Sequence, residues 1–407
     1  MSNKEKIQTI IESILVVGAY SLWIEKFSFL TTTFILIVAI ISILNNRKIS
    51  LKIDKYTLVV IIYTITIFFN VFVSTDVQKS YVFSKFLIAM LFMIVVMKDK
   101  ISDDIIVSNT YMFMTLMLIL SIIWEYVNFE TFREFGKKIL SEDLWISIST
   151  NRGSFDRYVG FGVYAGPTSC MIIYGMCAAH CYLKKDYKYY LFMLLGLISI
   201  FLTGSRIQLL MFFIIIIIYK LLLISKKEKK NTAFVILNRI SIIALVIIFV
   251  MLFSSEITKV DLRLISSGMS SASVIARFAL YKYAFDLFLK NPVIGTGINT
   301  FLNYSTENQL VENTYAHNLL LQSLAEQGIC GATILIVFIG ISFYYTFKNY
   351  KNNKDNGAYK FSLLVQLVFI IYSLSGNPFY DTNLRMLYMI GIIIGLKNNK
   401  GVKVKNE

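Results

Sequence analysis

The sequence predicts an all-α, polytopic membrane protein with almost no soluble part. Three observations carry this. The 407 residues are 56% hydrophobic with a mean hydropathy of +0.65, whereas soluble domains are about 45–50% apolar. The apolar residues fall in runs of roughly 20, the length a helix needs to cross the hydrocarbon core. Charged residues make up only 16% and lie almost entirely between the runs. The 32 Phe and 25 Tyr fit aromatic belts at the membrane interfaces.

About twelve spans follow in order, near 10–25, 27–44, 56–74, 82–97, 105–127, 160–183, 188–203, 207–225, 234–253, 315–347, 361–376 and 378–396. A short basic stretch, Lys4 to Lys6, leads straight into the first run, which is expected to act as its own insertion signal. Glu25-Lys26 alone parts the first two spans, and Gly196 interrupts the short seventh. Lysines and arginines concentrate in alternate loops, at Arg47/Lys48/Lys52/Lys55, Lys98/Lys100, Lys184/Lys185/Lys188, Lys226 to Lys230, Lys348/Lys351/Lys354 and Lys397 to Lys405. The positive-inside rule makes that side the cytoplasm and puts both termini there. The whole chain, 1–407, reads as one integral membrane domain.

Two longer segments then fall outside, 128–158 and the large extracytoplasmic loop 254–314 between the ninth and tenth spans. Within the second, Ser271 or Ser273 is placed to cap a helix running through Val274 to Phe285. It should stop before Asn291-Pro292, since the residue before proline avoids the helical region. With Arg277, Lys282 and Lys290 among aromatic and aliphatic residues, it reads as an amphipathic helix at the outer interface or packed on the bundle.

Composition excludes several function classes. The net charge of +15 is spread over many loops rather than gathered on one face, so no nucleic-acid partner is expected. Cys170, Cys177, Cys181 and Cys330 form no CxxC pair, so neither a zinc site nor a disulfide framework is indicated. No GxxxxGK[ST] loop or HExxH motif occurs, and no metal or cofactor is expected. The Asp103-Asp104 pair lies in a cytoplasmic loop, and His180 lies beside Lys184-Lys185; both read as structural.

Chemistry is expected on the outer side, where basic residues are few. Arg206 follows Thr203-Gly204-Ser205 at the junction of the seventh and eighth spans. Its planar fork suits phosphate oxygens, and the plainer alternative is an interfacial anchor. His317 stands at the start of the tenth span. There Asn318, Gln322 and Glu326 recur every four residues and predict a polar stripe descending into the membrane.

These residues carry a resemblance. Arg277, then Asn291-Pro292-Val293-Ile294-Gly295-Thr296-Gly297, then His317-Asn318 with Leu321, Leu324, Glu326, Gly328 and Gly331, resemble the signature of the O-antigen ligase and Wzy-type polymerase superfamily. Thr203 to Arg206 is similar to the family's other arginine motif, and Arg157 to Gly160 with Gly166-Pro167-Thr168 to a looser third. The motif resemblance is strongest over about 203–331, and in topology it covers the whole chain. It implies a metal-independent glycosyltransferase of the bacterial cytoplasmic membrane, taking its donor glycan from an undecaprenyl diphosphate carrier. Arg206 and Arg277 would meet the diphosphate, and His317 would accept the proton of the attacking hydroxyl. Arg157, Asn318, Gln322, Glu326 and Tyr281 would contact substrate. Polymerisation of repeat units into capsule, exopolysaccharide or O-antigen is the first reading. The alternatives are ligation to a lipid or protein acceptor and transport of lipid-linked sugars. A flippase and a chain-length regulator would be partners in the same pathway.

Overall fold

The computed structural model of the chain describes residues 2–21, 35, 37, 39–41, 44, 54–98, 100, 102–162, 164–222, 272–303 and 315–397. Among the described residues every regular element is a helix. These are α1 (Asn3–Ser21), α2 (Lys55–Phe72), α3 (Val77–Met97), α4 (Asp104–Val127), α5 (Phe129–Ile139), α6 (Glu142–Phe155), α7 (Ala165–Tyr182), α8 (Tyr187–Leu202), α9 (Arg206–Leu222), α10 (Ala272–Lys290), α11 (Leu319–Asn352), α12 (Gly357–Ser373) and α13 (Thr382–Leu396), with a single 3-10 turn at Gly160–Gly162. The chain is thus the all-α membrane bundle that composition implies. The second expected span lies mostly, and the ninth wholly, outside the described residues. The segment 128–158, expected only as a long loop, holds α5 and α6.

Most of the described helices start where an Asp or Asn interrupts the apolar pattern. Asp54, Asp76, Asp103, Asn128, Asp186, Asn356 and Asp381 each accept a hydrogen bond from a first-turn N–H. Such a cap satisfies one orphaned donor and contributes about 1 kcal/mol. α2, α3, α4 and α11 are long and apolar enough to cross a bilayer, and α8, α12 and α13 are shorter apolar helices. On α2 the side chains of Leu58, Ile61, Ile65, Phe68, Phe69 and Phe72 face outward. An apolar stripe of that extent is stable only against lipid or another protein. α13 is buried along its whole length, between α1, α3, α11 and α12. Its Tyr388 stacks on Phe369 of α12 with 3.8 Å between ring centroids.

Charges sort to the two ends of this bundle. At one end Lys397, 1% exposed, reaches Glu12 at 2.7 Å and Asp104 at 2.9 Å. Glu12 is itself fully buried, and Lys98 pairs with Asp54 at 2.6 Å. These contacts gather the starts of α2 and α4, the end of α3, the end of α13 and the first half of α1. The opposite end holds Asn70, Glu125, Arg157, Arg277, His317, Glu326 and Arg385.

α11 is not the continuous helix expected over 315–347. It starts at Leu319 and breaks at Gly328, whose φ of 62° lies in the left-handed region. The segment Pro292–Gly297 fills the break. Ile329 and Cys330 donate to the carbonyls of Pro292 (2.8 Å) and Val293 (3.3 Å). The carbonyls they would meet in a straight helix, on Ala325 and Glu326, accept instead from Thr296 (3.1 Å) and Gly297 (2.8 Å). Asn70 on α2 clamps the same segment, donating to Ile294 O at 2.9 Å and accepting from the Ile298 N–H.

Gly328 is required twice over. Its backbone is left-handed, and a Cβ there would lie 2.3 Å from the Val293 carbonyl oxygen. Gly295 faces it with φ of 70° and a Cβ position 2.3 Å from the Glu326 carbonyl carbon. Gly328→Ala and Gly295→Ala are each expected to cost roughly 2–5 kcal/mol. Thermal melting of the detergent-purified protein measures this, and an unchanged melt for either variant would refute the packing of this segment.

Candidate functional site

α10 lies along the first part of α11, with Leu280, Ala284 and Leu287 packed on Phe301, Ala316 and Ala325. This packing brings Arg277 and Tyr281 to the start of α11. The Tyr281 hydroxyl donates to the His317 carbonyl at 3.5 Å. His317 precedes the helix and has φ of 52°, a left-handed conformation unusual for a side chain with a Cβ. Its neighbours hold it there. The Ala316 N–H donates to Gln322 Oε1 at 3.1 Å, and the Tyr315 ring packs on Tyr380 with centroids 5.4 Å apart.

Burial, and then the charge of Arg277, lower the His317 pKa to about 4. The imidazole is therefore neutral at neutral pH and able to accept a proton. Arg277 also lies close enough to Tyr372 on α12 for its charge to act on that phenol. Tyr372 and Gln208 converge on Gly166, where a Cβ would sit 2.6 Å from Tyr372 Oη and 3.2 Å from Gln208 Nε2. Gln208 is two residues beyond Arg206, which opens α9 and whose side chain lies outside the described residues.

The expected polar stripe is only partly helical. Asn318 is the N-cap of α11, accepting from Leu321 N–H at 3.1 Å and donating to Leu374 O at 3.3 Å. It and His317 therefore stand before the helix rather than on its face. Gln322 and Glu326 do share a face, with Gln322 Nε2 donating to Glu326 Oε1 at 3.2 Å. Glu326 is fully buried and accepts from the N–H groups of Asn299 (2.7 Å) and Phe301 (2.9 Å), and from Tyr380. In this arrangement Gln322, Glu326 and Asn318 hold backbone. Arg277, on α10, lies close enough for its charge to act on the His317 ring.

Arg157 packs across Gly204, where a Cβ would lie 2.9 Å from its Cγ. The Arg157 loop thus meets the Thr203–Arg206 segment, joined also by Tyr158 N–H to Leu202 O at 2.9 Å. Glu125 on α4 anchors the loop by accepting from Val159 and Gly160 N–H, each at 2.7 Å. Asn70, Glu125 and Arg385 support these segments, and no motif marks them. Each is a polar or charged side chain inside an apolar run, which is the signal that could have found it. Arg385 is 1% exposed, donates to Phe379 O at 2.9 Å and lies 4.4 Å from the Phe83 ring centroid.

Residues 191–336 match the family model described as O-antigen ligase. The match runs from α8 to beyond the break in α11 and includes Arg206, Arg277 and His317. No curated protein matches the chain.

His180 and His317 are the two histidines of the chain, so His317 can be titrated alone in a His180→Gln background. Diethyl pyrocarbonate, which attacks neutral imidazole, should modify it with a midpoint near pH 4 rather than 6.5. Arg277→Ala should raise that midpoint. The unfolded chain takes up this proton below about 6.5 and the folded one only near 4, so stability should fall as pH drops through that window. A midpoint of 6.5 in the otherwise unsubstituted protein would refute the burial of His317 beside Arg277.

Proposed function

We propose, for a chain that carries a domain of the O-antigen ligase and Wzy-type superfamily across residues 191–336, that it polymerises undecaprenyl diphosphate-linked repeat units into a surface polysaccharide. The observation that supports glycosyl transfer is that Arg277 lies close enough for its charge to act on His317 at the start of the broken helix α11, inside the matched stretch. Transfer requires a diphosphate to leave and a sugar hydroxyl to lose its proton. Arg277, with Arg206 and Arg157 on the neighbouring segments, supplies positive charge where the leaving group gains negative charge. His317 accepts the hydroxyl proton as the new glycosidic bond forms. A bound diphosphate offsets the charge of Arg277, which raises the basicity of His317 when the donor is present. Tyr281 holds the His317 backbone, and Asn318, Gln322 and Glu326 position the segment that carries it. By the positive-inside rule the basic end faces the cytoplasm and the site faces outward, with both termini inside.

The test is to incubate the purified protein with undecaprenyl diphosphate-linked repeat units and follow chain length on a gel. A ladder should form without nucleotide and in the presence of a chelator. His317→Ala should slow it by on the order of 10²–10⁴, and Arg277→Ala by on the order of 10²–10³. Product only after addition of a lipid or protein acceptor makes the protein a ligase. Passage of intact units across a vesicle membrane makes it a transporter. A ladder that survives His317→Ala removes the assigned base.

A further inference from the structure

A second feature of the site end is an open cleft of about 500 Å³, lined by residues that include Phe129, Arg133, Lys137, Trp145, Arg152 and Tyr158. Its volume is within the range of about 300–1,000 Å³ typical of small-molecule sites. α5 is two-faced, with Phe132 and Gly136 buried while Arg133 and Lys137 point out, one turn apart. Trp145 packs over Gly136 and stacks on Phe129 at 6.0 Å and 22°. The Arg152 guanidinium lies 4.2 Å from the Phe129 ring centroid and 5.1 Å from that of Tyr158, and donates to Glu125 O at 3.0 Å. Flat apolar and guanidinium surfaces thus stand beside the Ser149 hydroxyl and the Asp156 carboxylate.

Arg133, Lys137 and Arg152 share the lining with one carboxylate, Asp156, while the charge of Glu125 also acts on Arg152. Glu130 pairs with Arg133 at the exposed rim, and such a pair is weak enough for a bound anion to replace. Asp156 and Tyr158 line the cleft, while Arg157 between them packs on Gly204. The cleft and the arginine segment are therefore two sides of one loop.

We propose that this cleft is a subsite for an anionic saccharide, a sugar unit bearing carboxylate or phosphate, in the glycan held during transfer. Ring faces of a sugar pack on the aromatic surfaces, its hydroxyls meet Ser149 and Asp156, and its anionic group meets Arg133, Lys137 and Arg152. The proposal rests on the glycosyl-transfer reading, but its test does not require turnover.

The full-length protein in phosphatidylcholine nanodiscs would be titrated by calorimetry with a hyaluronan hexasaccharide and with uncharged maltohexaose. The charged probe should bind saturably and at least ten-fold tighter than the neutral one. The double variant Arg133→Glu/Lys137→Glu, changed only at exposed positions, should bind it at least ten-fold more weakly while keeping the parent melting temperature. No binding of the charged probe, equal binding of both probes, or unchanged binding by the double variant overturns the proposal. Loss of binding when phosphatidylglycerol is added to the discs also overturns it, by making the cleft a lipid-headgroup site. A protein that binds the probe yet transfers nothing would fail the transfer reading alone.

Discussion

The break in α11 at Gly328 is the constraint on which the site end depends. Inside a bilayer an unpaired backbone group costs several kcal/mol, and irregular backbone survives only where protein satisfies it. Here one segment answers both sides of the break. Its carbonyls on Pro292 and Val293 take the freed N–H groups, and its N–H groups on Thr296 and Gly297 meet the freed carbonyls. Two glycines facing each other across the junction permit an approach that any side chain would block. The outcome is a short helical segment, Leu319 to Gln327, set apart from the long span that follows.

That segment is held rigidly, which matters for the residues before it. Glu326 closes the 291–303 segment from within, through Asn299 and Phe301, while Gln322 fixes Ala316. His317 is thereby kept in a left-handed conformation of the kind that persists only when its surroundings over-determine it. The polar residues of α11 thus divide by task. Gln322 and Glu326 on the helix hold backbone, and the histidine before it lies within reach of the charge of Arg277.

Charge is handled differently at the two ends. Lys397 and Glu12 are buried together at the basic end with the half-buried Asp104 beside them, where mutual pairing offsets the desolvation of the buried pair. At the other end Arg157 lies across Gly204, and Arg152 lies against the rings of Phe129 and Tyr158. Guanidinium groups supported in this way are suited to anionic ligands, since their planar fork is ordered before the ligand arrives.

The sequence by itself determined the membrane class, the all-α architecture and the segments that carry Arg157, Arg206, Arg277 and His317. Apolar run length and local motifs are properties of neighbouring residues, so they can be read along the chain. The stripe of Asn318, Gln322 and Glu326 was legible as a period of four, but its start and meaning were not. Asn318 is a cap, and Glu326 serves a loop some 25 residues earlier in the chain. Only the tertiary structure decided the break at Gly328, the role of Asn70, and the meeting of Arg157 with Gly204. Each depends on hydrogen bonds and close approaches between segments far apart in sequence, and no local pattern records them.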